Sequence, residues 1–196
     1  MRPAATVMKF VRLAGLAIAC MAASTLTGCV TVVAPPYQAT IDNVRTLQTA
    51  PDGKVSLGQF TAKSPDLNHL SIRASTYNSP FNDSYADYLK EALRAELESA
   101  GKLAPGAPVV ITGELQTNAL DPAVGTASAH ISARIVVKRG NDVVFDKVVH
   151  GDSEWESSFI GAIAIPLARQ QYGETLKKLI GNLFADPDFK KIFQPA

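Results

Sequence analysis

Apolar and polar side chains follow a helical period between Ser84 and Gly101. Apolar residues recur every three or four positions and would form one stripe, with the charged residues on the opposite side. Asp83 or Ser84 can cap the first turn, and Gly101 is typical of the position after a helix. The pattern predicts an amphipathic helix that ends before Gly101, with Tyr85 and Tyr88 packed in the core or at its rim. The apolar stripe comprises Tyr85, Leu89, Ala92, Leu93, Leu97 and Ala100.

Alternation of apolar and polar residues predicts the β-strands. Three successive alternating runs in the second half of the chain are expected to form an antiparallel meander with one apolar face. Gly140 and Asn141 form a two-residue loop typical of a hairpin between the second and the third run. The third run can continue as far as Trp155. The predicted strands cover residues 55–60, 70–74, 108–117, 127–139 and 142–150.

A second helical period follows these strands and predicts a C-terminal helix. Proline is tolerated in the first turn of a helix, so we expect this helix to begin near Pro166 and to run to Phe184. One more turn is expected at residues 188–193, pinned by Phe189 and Phe193. The element order β-α-β-β-β-α predicts an α+β fold, in which an antiparallel sheet of about four to five strands carries two helices packed on one face.

The first 28 residues have the composition of a targeting segment. Three basic residues precede an apolar run at residues 13–23, and no acidic residue occurs before Asp42. An apolar run of about 11 residues is shorter than the ~20 that a helix needs to cross a bilayer. Two alternatives are a spanning helix that continues beyond this run and a secreted protein that is cleaved near residues 22–24.

The tetrapeptide Leu26-Thr27-Gly28-Cys29 resembles the bacterial lipobox. The resemblance implies that a signal peptidase cleaves between Gly28 and Cys29, and that Cys29 carries a thioether-linked diacylglycerol and an amide-linked acyl chain. Three acyl chains anchor a protein stably, whereas one chain binds only marginally. The next two residues lack the aspartate that retains lipoproteins in the inner membrane. The resemblance therefore implies a lipid anchor in the outer membrane, on its periplasmic face.

The lipobox divides the chain into a signal peptide at residues 1–28 and a mature protein. Residues 29–52 are expected to be the lipidated N-terminus and an extended linker, because Pro35 and Pro36 favour a stiff, extended chain. A weak strand pattern occurs at residues 41–49. A single α+β domain is expected at residues 53–196.

Composition limits the function of the mature chain. It would contain 16 basic and 18 acidic residues, and it has no basic run, which argues against nucleic acid as a partner. Cys20 would leave with the signal peptide and Cys29 would be acylated. The mature protein is therefore expected to fold without a disulfide and to expose no free thiol.

The sequence contains no recognisable catalytic constellation. Its three histidines show no metal-ligand spacing, and no glycine-rich phosphate loop or nucleophile elbow occurs. Asp152, Glu154 and Glu156 alternate, and we interpret them as the polar face of a strand end. We predict no catalytic residue, no metal site and no cofactor, and a protein that is not an enzyme.

The stretch at residues 159–167 is apolar and has no clean period. It could be a buried loop or an early start of the final helix, packed on the sheet. Alternatively, it could form an exposed apolar patch for an envelope protein partner or for lipid. The candidate contact residues are Trp155, Phe159, Ile160, Ile163, Ile165 and Leu167.

The chain has the order lipobox, extended linker, strand, amphipathic helix ending at residues 100–103, strand at residues 109–115, long hairpin and C-terminal helix. This order resembles the YajG-like bacterial lipoproteins over about residues 77–193. The plan is also similar to LptE-type and ABC-transport auxiliary lipoproteins. The resemblance implies an outer-membrane-anchored periplasmic lipoprotein, a non-catalytic binding or accessory subunit in cell-envelope maintenance or assembly. The alternatives are a lipid- or glycolipid-binding auxiliary of an envelope transport system and, more distantly, an envelope hydrolase.

Overall fold

The computed structural model describes residues 31–194, which form two β-sheets and four α-helices. The α+β prediction is confirmed. Gly28 and Cys29, the predicted cleavage and lipidation residues, lie outside the described residues. The elements are β1 (Thr31–Val33), α1 (Ile41–Gln48), β2 (Ser56–Ala62), a short 3₁₀ helix (Pro65–Asn68), β3 (Leu70–Ile72), β4 (Ser75–Asn78), α2 (Tyr85–Ser99), β5 (Val109–Asp121), β6 (Gly125–Arg139), β7 (Asp142–Ser157), α3 (Gly161–Ala185) and α4 (Pro187–Lys191).

The larger sheet has the strand order β2-β5-β6-β7. Strands β5, β6 and β7 form the predicted antiparallel meander, in which Gly125 pairs with Ser157 at one end and Arg139 pairs with Asp142 at the other. Strand β2 pairs with β5 in parallel, so the expectation of a purely antiparallel sheet is wrong at this edge. Parallel neighbours need a long crossover connection. Residues 63–108 provide it through the small sheet and α2.

Helix α2 forms as its sequence predicts. The Ser84 hydroxyl accepts a hydrogen bond of 3.1 Å from the backbone N–H of Asp87, which satisfies one of the free donors of the first turn. Gly101 follows the helix with φ +66°, a conformation that glycine adopts without strain. Tyr85, Tyr88 and the leucines of the stripe are buried. Helix α2 therefore covers the β2 and β5 side of the larger sheet.

Helix α3 begins at Gly161, five residues before the predicted start. Pro166 lies inside the helix, where it removes one backbone hydrogen bond. The earlier start buries Ala164 against the core. The stretch at residues 159–167 is thus largely an early helix start, one of the alternatives that the sequence left open. The final turn also forms, as α4, with Phe189 and Phe193 buried as predicted.

A close approach between β7 and α3 depends on Gly151. A Cβ atom at this position would lie 2.3 Å from the carbonyl oxygen of Thr175 and 2.8 Å from the backbone nitrogen of Leu179. No side chain fits between the two backbones. Gly151 therefore allows α3 to pack directly on the sheet.

The N-terminal arm, residues 31–48, is folded onto the domain. Strand β1 pairs in parallel with β4, with Thr31 opposite Thr76. Thr40 caps α1 by accepting a hydrogen bond from the backbone N–H of Asn43, and Leu47 is buried. Residues 31–48 are therefore packed on the domain as β1 and α1, and the weak strand pattern at residues 41–49 lies in a helix. Pro35 and Pro36 lie before α1 in a segment without regular structure, and the helix that follows is stabilised by the Thr40 cap and by the burial of Leu47.

Candidate functional site

Four large apolar side chains are exposed at one end of the larger sheet. We call this group the apolar end: Val124 is 60% exposed, Phe159 79%, Ile160 44% and Ile163 54%. Val124 lies in the β5–β6 turn, Phe159 and Ile160 lie directly before α3, and Ile163 lies in its first turn. Because Gly125 pairs with Ser157, this turn and the loop after β7 lie side by side. The four side chains of the apolar end therefore lie at the same end of the sheet.

Three of the six predicted contact residues are exposed and three are not. Phe159, Ile160 and Ile163 are exposed, but Trp155 is only 8% exposed. Ile165 and Leu167 are half-buried and pack against the core. The side chain of Trp155 points to the inner face of β7 and packs in the core, so it does not contribute to an exposed patch. Val124 was not among the predicted contact residues.

Arg73 holds the loop before α3 in place. Its guanidinium donates hydrogen bonds to the carbonyl oxygen of Ser158 at 2.8 Å and to the hydroxyl of Ser157 at 3.3 Å. Arg73 lies in the β3–β4 hairpin and has φ +59°, which is uncommon for a residue with a side chain. The hairpin and the apolar end therefore lie at the same end of the domain.

A buried carboxyl group fastens the N-terminal arm to α2. Glu96 is 0% exposed, and its Oε1 accepts hydrogen bonds from the Tyr37 hydroxyl at 2.7 Å and from Nδ2 of Asn43 at 3.0 Å. The backbone N–H of Thr40 also donates to both carboxyl oxygens, at 3.2 Å. Burial, and next the contact with Glu96, raise the pKa of the Tyr37 phenol well above its ordinary value. These hydrogen bonds hold the N-terminal arm against α2.

The arm runs along α3 in the same direction as the helix. Near its start, Nη2 of Arg169 donates a hydrogen bond of 3.2 Å to the carbonyl oxygen of Val33. Further along, Nδ2 of Asn43 donates to the carbonyl oxygen of Lys177, two helical turns later, at 3.2 Å. Thr31 therefore lies towards the beginning of α3, which is the helix end that carries Ile163.

A groove of about 430 Å³ lies between the arm and α3. Its lining includes the aromatic rings of Tyr37 and Tyr88, but also Arg169, Glu174 and Lys177. One face of α3 is buried in the protein. Its side chains include Ala164, Ala168, Tyr172, Leu176, Leu179 and Ile180. The groove is open and partly charged, which suits an acyl chain poorly.

The polar groups singled out from the sequence lie on the outer surface. Asp152, Glu154 and Glu156 are exposed along β7, as predicted for a polar strand face. Oδ1 of Asp152 accepts a hydrogen bond of 2.8 Å from Nδ1 of His130, and both side chains are exposed. Within residues 31–194, no group of three potential metal-ligating side chains comes together. Across this same part of the chain, no helix has both the length and the apolar character to cross a membrane.

Comparison with known proteins identifies a shared fold. No protein-family model matches the chain, and no curated protein matches it. A DUF330-family protein from Xanthomonas campestris superposes with a TM-score of 0.55, covers 78% of this chain and 93% of its own, and is 13% identical. A candidate lipoprotein from Caulobacter crescentus has a TM-score of 0.45 at 10% identity, and covers 79% of this chain and 98% of its own. The likeness to the Xanthomonas campestris protein shows the fold alone, and the likeness to the Caulobacter crescentus protein is too weak to support an argument. The YajG-like resemblance stays a prediction.

Proposed function

We propose that this chain is a lipoprotein of the bacterial outer membrane, anchored on the periplasmic face through Cys29, and that it acts as a non-catalytic accessory subunit in envelope maintenance or assembly. The observation that carries the proposal is the lipobox at residues 26–29 directly after a short apolar core. That order of a basic start, a short apolar run and small residues suits export.

The folded arm supports a close attachment to the membrane. Only Val30 separates Cys29 from β1, so the anchor and the domain are not joined by a free spacer. Two residues span at most about 7 Å. A lipid chain on Cys29 would therefore hold the domain against the bilayer surface, where an accessory subunit meets envelope components.

The filled core favours an accessory subunit over the lipid-carrying alternative. A carrier of acyl chains needs an apolar cavity, and pockets for such ligands are mostly apolar and enclosed. The space between α3 and the sheet is occupied by protein side chains. The neighbouring groove is lined in part by Arg169, Glu174 and Lys177.

Cell fractionation of a Cys29→Ser variant tests the anchor. We expect the wild-type protein in the outer-membrane fraction after density separation, and we expect the variant to lose acylation and to leave that fraction. Cys20→Ser is the matched control, because the proposal places Cys20 in the removed segment. A Cys29→Ser protein that remains acylated in the membrane fraction would overturn the proposal.

A deletion strain tests the envelope role. We expect loss of the chain to increase the sensitivity of cells to detergents and to large antibiotics that the outer membrane normally excludes. The wild-type gene should restore resistance and the Cys29→Ser gene should not. Unchanged sensitivity of the deletion strain would argue against a role in envelope maintenance.

A further inference from the structure

The apolar end has the composition of a surface that is covered by an apolar environment rather than by water. Ten consecutive residues, 159–168, carry no charged side chain. Phe159, Ile160 and Ile163 are exposed within this stretch, and Val124 lies beside it. Ile160 also occupies the N-cap position of α3 without a side-chain hydrogen bond, where a polar residue would be more favourable. An isoleucine here is poor for the helix in water but suited to an apolar environment.

The position of the N-terminal arm indicates what covers this surface. Thr31 pairs with Thr76, in the strand that follows the Arg73 hairpin, and Arg73 contacts Ser158 next to Phe159. The arm also leads back along α3 towards Ile163, as the contacts of Val33 and Asn43 show. The chain therefore enters the domain at the apolar end, and Cys29 precedes Thr31 by two residues.

We propose that the apolar end is a second membrane contact, which rests in the interfacial region of a phospholipid bilayer beside the lipid on Cys29. This inference rests on the anchor proposed above. Aromatic and aliphatic side chains of a surface helix insert at the boundary between headgroups and acyl chains. The anchor concentrates lipid at this end of the domain, which favours lipid over a protein partner as the occupant.

The charged groups around the apolar end are compatible with a shallow insertion. The guanidinium of Arg73 is partly buried and bonded to the loop, and Arg169 bonds to the arm. Glu156 is exposed near the end of β7 and would stay in water, on the outward side of the strand. Insertion of Phe159, Ile160 and Ile163 would therefore not require a charged residue of α3 to enter the apolar layer.

Val143 provides a matched control at the opposite end of the sheet. It is 54% exposed, the same fraction as Ile163. Val143 lies near the β6–β7 hairpin, fourteen residues along β7 from Ser157. That separation corresponds to roughly 45 Å along the strand.

Site-specific labelling of the lipidated protein tests the contact. Ile163→Cys and Val143→Cys would each carry the one reactive thiol of the mature chain, since Cys29 is acylated. Each variant is labelled with the same environment-sensitive fluorophore and reconstituted in phosphatidylethanolamine–phosphatidylglycerol vesicles that contain a spin-labelled lipid. Both side chains are exposed, so the label should not disturb the core, and circular dichroism checks this.

We expect quenching by the spin-labelled lipid to be about threefold or more stronger at position 163 than at 143, and quenching by aqueous iodide to be correspondingly weaker. Equal quenching at both positions, in protein that floats with the vesicles, would overturn the membrane contact and leave the anchor intact. Protection from iodide without lipid quenching would mean that protein and not lipid covers position 163, and would also overturn the membrane contact. Failure of the wild-type protein to float would refute the anchor itself.

Discussion

The hydroxyl of Tyr37 lies 2.7 Å from Oε1 of Glu96, a carboxyl group that is fully buried in α2. The two residues are 59 positions apart in the chain. Their hydrogen bond joins the N-terminal arm to α2, so that residues 31–48 are part of the domain.

Replacement of Glu96 by alanine should release the arm. The N–H groups of Asn43 and Thr40 that bond to the Glu96 carboxylate would lose their acceptor while they stay partly buried. We therefore expect the free energy of unfolding to fall by about 2–3 kcal/mol. Hydrogen exchange should increase across residues 31–48. Glu98→Ala, at an exposed position of the same helix, should change stability by less than about 0.5 kcal/mol. Equal protection of the arm in both variants would contradict the role of Glu96.

Gly151→Ala should destabilise the fold through overpacking. The new methyl group would meet the backbone of α3 at Thr175, so we expect a loss of about 2–3 kcal/mol or more in chemical denaturation. Gly173→Ala is the control, because its Cβ would meet no atom within 4 Å. That change should stabilise α3 by about 0.5–1 kcal/mol. Equal changes in the free energy of unfolding for the two substitutions would contradict the close approach of β7 and α3 at Gly151.

Ile160→Asp should stabilise the isolated protein in detergent-free solution. An aspartate at this N-cap can accept a hydrogen bond from the first turn of α3 and favours the positive end of the helix dipole, which together contribute about 0.5–1 kcal/mol. Phe159→Asp, one residue outside the cap position, should have little effect. Both variants should reduce the membrane contact of the apolar end. A lower unfolding temperature for Ile160→Asp would argue that Ile160 is needed for packing.

The tyrosines should resist ionisation until the protein unfolds. All five are held with pKa values above the ordinary value of about 10, mainly because burial disfavours the phenolate; that of Tyr88 rises to about 12. Because the phenol pKa values are higher in the folded than in the unfolded protein, the free energy of unfolding keeps its full value below pH ~10. It falls as the pH rises further, since the unfolded chain loses its phenol protons first. Phenolate absorbance should therefore appear together with loss of near-ultraviolet circular dichroism. A gradual titration centred near pH 10 with intact structure would contradict the burial.

The elements with a local sequence period were predictable. Helix α2 has a capping serine, a complete apolar stripe and a terminal glycine, and it forms within a residue of its predicted end. The β5–β7 meander follows from alternation and from the Gly140-Asn141 loop. The parallel pairing of β2 was not predictable in this way, because alternation shows that a strand has two faces and does not show its direction relative to its neighbour.

The candidate site was predictable in part. The alternation that placed Asp152, Glu154 and Glu156 outward also places Trp155 inward, so its burial could have been inferred from the same strand. The exposure of Phe159 and Ile163 depends on where α3 begins, which Pro166 obscured. The folded arm could not be anticipated, since Tyr37 and Glu96 meet through tertiary structure and neither lies in a local motif.

Mass spectrometry of the N-terminal peptide from membrane-extracted protein tests the central claim most directly. We predict a chain that begins at Cys29 and carries the added mass of a diacylglycerol and an amide-linked acyl chain, with no peptide from residues 1–28. A mature protein that begins near residue 24, or one in which Cys29 has a free thiol, would contradict the account.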